Sequence, residues 1–216
     1  MTIWLWFVRW GWLYCMLAMS ILLSVQLILN WRSWNTLTKL GAFTVIVLTL
    51  HVWEEWVIPG GFHVIYNLHS QFPDRYPMSE LTDMLTNFLG GLLWFSLTET
   101  KHFDPRMGVA TALFSFFEFI IHNFLALQSL AAFGRVGQNV YYAPGLITAT
   151  LCWLPLDIGF VVYFNQHQPS LKIFSQGVLI LLLMTFFIVQ LPEKVLKNPI
   201  NPYAFDNQGW YQQFKK

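Results

Sequence analysis

The chain has 216 residues, of which 56% are hydrophobic, 18% aromatic and only 11% charged, where soluble domains carry about a quarter charged residues. With a mean hydropathy of +0.48 and long apolar runs, the composition excludes an ordinary soluble domain and points to a multi-pass integral membrane protein. A net charge of +1 leaves no basic surface for nucleic acid.

The sequence predicts an all-α membrane bundle of about six transmembrane helices. The first, over 10–30, has Trp4, Trp6, Trp10 and Trp12 at one end and Trp31 and Trp34 at the other. Tryptophan at both edges of an apolar span is the interfacial belt of a membrane helix. The second, over 38–58, ends in His51-Val-Trp-Glu54-Glu55 and is stopped by Pro59-Gly60-Gly61. A polar loop follows, and the third helix, over 80–100, carries Asp83 and Asn87. Gly90 and Gly91 come next, small enough for a neighbouring helix to approach closely. The fourth, over 108–131, holds Glu118 and His122 in the middle of FSFFEFIIHNFLAL. The fifth, over 144–165, begins at Pro144 and is expected to kink at Pro155, close to Asp157. The sixth, over 171–191, has no ionisable residue and reads as a scaffold or lipid-facing helix. Residues 192–216 form a polar tail expected outside the bilayer. His63, His69, His102 and His167 fall in loops and are expected to be solvated, while Cys15 and Cys152 read as packing.

Ionisable groups in the second, third and fourth helices fall at related depths. At 1.5 Å per residue, Glu54, Glu55 and Asp83 lie about 25 Å from the far face, and His51, Asn87 and His122 about 20 Å. Glu118 follows at about 15 Å and Asp157 at about 12 Å, while Tyr142 sits at the rim. His51 and Glu55 are four apart, as are Glu118 and His122, so each pair shares a helix face. Such groups are costly in lipid unless they pair, bind an ion or reach water, and intramembrane ionisable residues are functional by default. Imidazole and carboxylate donors suit zinc, alternatively iron. In one reading His51, Glu55, Glu118 and His122 hold one ion, and Glu54 is the base for a water that the ion activates. In another, two ions share the ligands, as in di-iron bundles, although those use Glu-x-x-His. Asp83, Asn87, Tyr142 and Asp157 are candidates for supporting or substrate-binding groups. Against these stand plainer readings. Glu54 and Glu55 could cap a helix in water, Glu118 and His122 could satisfy only each other, and Asp157 could hold a backbone group freed by the kink.

His51-Val-Trp-Glu54-Glu55, the later His122 and Tyr142-Ala-Pro144-Gly145 together resemble the HXXEE-domain family of membrane proteins. That family is defined by an HxxEE motif, a further histidine, a YxPG motif and several potential transmembrane segments. It has no established function, so the resemblance implies a site and supplies no reaction. The residues themselves lead to a metal-dependent enzyme acting on an amphiphilic, lipid or isoprenoid-like small molecule, with hydrolysis first and di-iron oxidation second. The alternatives are a metal-free isomerase of the sterol type, a proton- or cation-coupled carrier, and a structural subunit of a membrane complex.

Overall fold

The computed structural model describes residues 2–214 and has no strand among them. Its helices are α1 (Ile3–Leu29), α2 (Thr36–Trp56), the short α3 (Phe62–Tyr66), α4 (Glu80–Glu99), α5 (Pro105–Phe133), α6 (Leu146–Gln166) and α7 (Leu171–Leu196). Local chemistry sets several of the starts. Asn35, Ser79, Asp104 and Ser170 each cap a helix by accepting a backbone N–H two or three residues on, and Pro105 follows Asp104 at the first helical position.

The chain is an all-helical membrane bundle, but the number of apolar spans is five rather than six. Among the described residues, α1, α2, α5, α6 and α7 alone are long and apolar enough to cross a membrane. The third expected span, α4, has 20 residues, yet Glu80, Thr82, Asp83, Thr86 and Asn87 dilute its first two turns. It still runs the depth of the bundle. At one end Glu80 pairs with Arg9 of α1 at 2.9 Å, and at the other a methyl placed on Gly41 of α2 would meet Thr98 at 2.7 Å. A helix enclosed by others need not be lipophilic all round. Of the two glycines, Gly91 is the packing one, because a methyl there would sit 3.1 Å from Met16 of α1.

The main core joins α1, α2, α4, α5 and α6 through the buried Trp12, Met16, Val45, Met84, Trp94, Met107, Trp153 and Phe160. Proline does not break α6. A π-helical turn at Ala149–Trp153 comes just before Pro155, and the helix continues to Gln166. A wider turn accommodates the missing N–H and the bulk of the ring.

Past α7, which continues beyond the expected end at 191, the tail folds back across the end of the bundle where α2 stops. Tyr211 is buried and donates to Ser129 of α5 at 2.9 Å, and the Trp210 N–H donates to the Gly60 carbonyl at 2.9 Å. Gly61, at φ +98°, lets the two backbones meet, since a Cβ there would lie 2.3 Å from the Gln208 carbonyl oxygen. Phe205 stacks on His63 at 4.0 Å. His63 is therefore not solvated as expected but buried, and burial pushes its pKa down to about 3. Lys215 and Lys216 of the tail lie outside the described residues.

Candidate metal centre

The expected agreement in depth becomes contact. His51 and Glu55 project from α2 and Glu118 and His122 from α5, and the four side chains converge. His51 Nε2 lies 3.5 Å from a Glu55 oxygen and 3.5 Å from a Glu118 oxygen, and His122 Nε2 lies 3.4 Å from each of the same two oxygens. The imidazole rings are 4.6 Å apart and nearly perpendicular. His51, Glu55 and His122 each offer a ligand atom within 4.8 Å of the others, and such a group could hold a metal ion. Glu118 stands outside that tighter trio and is the most exposed of the four, its side chain 20% accessible against 2% for His122. Neither Glu54 nor Glu55 is a water-exposed cap, because both are buried. Nor is Glu118–His122 a private pair, since each member also meets His51 or Glu55.

The first turn of α6 holds this arrangement in place. Glu54 turns to it and accepts four hydrogen bonds. They come from the Tyr142 hydroxyl at 2.9 Å, the Ile147 N–H at 3.1 Å, the Thr148 N–H at 2.7 Å and the Thr148 hydroxyl at 2.6 Å. A carboxylate at a helix N-terminus compensates both the free N–H groups and the helix dipole. It also has about four acceptor positions, so Glu54 has none left for a reacting proton. The Thr148 oxygen lies 2.8 Å from His51 Nδ1. With its own proton given to Glu54, Thr148 accepts one from Nδ1, which leaves the Nε2 lone pair of His51 facing the two carboxylates.

The YxPG motif now has physical content. Tyr142 fixes Glu54. Gly145 takes φ +94°, and a Cβ on it would fall 2.2 Å from the His122 ring. Only glycine fits a left-handed turn pressed against that imidazole. Phe62 tilts against the same ring, with centroids 5.6 Å apart.

Asp83 accepts from the Trp56 indole at 2.5 Å and from Asn87 at 2.8 Å, so these two expected residues hold each other on the wall of the site. A cavity of about 200 Å³ runs along them, lined by the polar His51, Glu55, Glu118 and His122 and by the apolar Phe114, Ile121 and Val189. Asp157 is not brought there. It faces a separate cavity bounded by α5, α6 and α7, with Phe116, Val161 and Phe174. Thr148 has no motif to mark it in the sequence, because its importance depends on α6 starting against α2. Neither a curated protein nor a solved structure matches the chain. Residues 42–160, which contain all of these motifs and more than half of the chain, match the family described as "Protein of unknown function with HXXEE motif", and the chain belongs to that family.

Proposed function

We propose that the cluster holds one divalent transition-metal ion, zinc first and iron second, and that the protein is a metal-dependent membrane hydrolase of amphiphilic substrates. The observation that carries this reading is that one Glu55 oxygen stands 3.5 Å from His51 Nε2 and 3.4 Å from His122 Nε2, within a trio whose ligand atoms all lie within 4.8 Å of one another. Charge-assisted hydrogen bonds between imidazolium and carboxylate would be about 2.7–2.9 Å. Two donors sharing one ion at about 2.0–2.1 Å in tetrahedral geometry stand about 3.3–3.4 Å apart. The spacing is too long for the first and close to the second. A second ion is disfavoured, because Asp83 and Glu54 are each committed to other partners.

In this reading His51, His122 and Glu55 are the ligands, a two-histidine, one-glutamate set that suits a catalytic zinc site with an open position. A bound ion would supply Lewis acidity and lower the pKa of water. Glu118 lines the chamber beside both imidazoles and is placed to take a proton from water and return it to a leaving group. Glu54 orients His51 through Thr148 and is a positioning group. Phe114, Ile121 and Val189 line the same chamber as the polar cluster, which suits a substrate with a hydrolysable head and a hydrocarbon body.

Glu118→Gln tests the assignment against His51→Ala. The purified, zinc-loaded protein is assayed for bound metal and for hydrolysis of a fluorogenic long-chain ester. Glu118→Gln is expected to keep the metal and lose roughly 10²- to 10⁴-fold in rate, while His51→Ala loses both. If neither change alters metal content, the metal reading fails.

A further inference from the structure

The chamber does not end at the polar cluster. A smaller slot of about 40 Å³ adjoins it towards the middle of the bundle, between α4, α5 and α7. The two spaces share Leu48, Thr86, Asn87, Phe114 and Val189 as walls. Beyond them the slot is bounded by Gly90, Trp94, Leu181 and Met184. Two local features create it. Gly90 is buried, yet a methyl there would meet nothing nearer than the Trp94 ring of its own helix at 3.7 Å. Opposite, α7 opens into a π-helical turn at Thr185–Gln190, and the Ile188 carbonyl accepts from the Thr86 hydroxyl at 3.2 Å. Turns of this kind occur often at functional sites.

We propose that this slot receives the single hydrocarbon chain of the substrate, with Gly90 as the residue that leaves room for it and Trp94 as its floor. The inference rests on the reading of the cluster as a metal site that takes the polar head. The volume of about 40 Å³ argues for one linear chain over a fused ring system. On the scale of about 10–15 Å³ per water-sized group, the slot takes about three such groups in file. From Asn87 to Trp94 the helix advances about 10 Å, which sets the reach of a chain beyond the polar chamber. Polarity also runs the right way, with His51, Glu55 and Glu118 lining the chamber and Leu181 and Met184 lining the slot.

The test uses zinc-loaded full-length protein in lipid nanodiscs and a dodecyl hydroxamate carrying a terminal photoreactive diazirine. Hydroxamates chelate zinc through the head, and the diazirine reports the position of the chain end. Labelled peptides are mapped by mass spectrometry, with acetohydroxamate as a competitor that has no chain. Wild type is expected to be labelled on Trp94, Leu181 or Met184. Gly90→Leu fills the slot without a backbone conflict, and it is expected to cut that labelling at least tenfold while leaving zinc content and acetohydroxamate binding unchanged. Labelling outside the slot, or undiminished in Gly90→Leu, with the head still displaced by acetohydroxamate, overturns the chain site and leaves the metal reading standing. Labelling in the slot that needs no zinc and resists acetohydroxamate supports the chain site and overturns the metal reading. No labelling at all, in protein that folds, overturns both.

Discussion

Thr148→Val isolates the link between Glu54 and His51. Valine keeps the shape of threonine and removes only the hydroxyl, which lies 2.8 Å from His51 Nδ1 and 2.6 Å from a Glu54 oxygen. Glu54 retains three donors, the Tyr142 hydroxyl and the N–H groups of Ile147 and Thr148, so the first turn of α6 stays attached to α2. His51 fares worse, because it is 3% exposed and its Nδ1–H is left without an acceptor. Leaving one buried donor unpaired costs about 1–3 kcal/mol. Losing the partner that orients a metal-bound histidine costs about 10- to 100-fold in affinity, or about 1.4–2.7 kcal/mol. The two estimates describe the same defect and agree. Zinc affinity is measured by competition with a chromophoric chelator at fixed pH, for wild type, Thr148→Val and Thr148→Ser. The valine variant should bind zinc about 10- to 100-fold more weakly and the serine variant within a few-fold of wild type. Equal affinity in wild type and Thr148→Val would refute the argument that Thr148 sets the tautomer and aim of His51.

Gly145→Ala should be more damaging than its size suggests. The added methyl falls 2.2 Å from the His122 ring at a backbone φ of +94°, and left-handed strain alone costs about 1–3 kcal/mol. Thermal unfolding should show a lowered midpoint, and metal titration should show weakened binding, whereas Gly134→Ala, with open space around it, should be near wild type in both. A pH dependence follows from His63, in the short helix outside the spans. Its folded pKa of about 3 lies below the usual 6.5 because of burial, so the unfolded chain binds the extra proton first. Its contribution to stability is complete above about pH 6.5 and is lost as pH falls towards 3. His63→Phe should therefore flatten the decline in thermal midpoint between pH 7.5 and pH 5, and an unchanged decline would mean that other groups govern it.

The parts of the site that were legible in the sequence are those set by helix geometry. Spacing four apart puts His51 with Glu55 and Glu118 with His122 on single faces, and equal depth brings the two pairs to one level. Both are properties of isolated helices. What depth does not supply is the angle around the axis. Asp157, an ionisable group inside a span, faces another cavity, and Glu54, next to Glu55 in sequence, turns to a different partner. The role of Glu54 depends on where α6 begins relative to α2, which is tertiary information. The same limit applies to α4. Its polarity follows from facing the chamber, and a count of apolar residues alone misreads an enclosed helix. The tail looked solvated because it is rich in Asn and Pro, yet Phe205, Trp210 and Tyr211 supply enough apolar surface to dock it on the end of the bundle.

X-ray absorption at the zinc edge, on the purified and zinc-loaded protein, addresses the central claim most directly. A single ion held by the cluster should show three or four nitrogen and oxygen neighbours at about 2.0–2.1 Å. Outer-shell scattering should indicate two imidazoles, reduced to one in His122→Ala. A spectrum with no imidazole contribution, or with six oxygen neighbours unchanged by His51→Ala and His122→Ala, would contradict it.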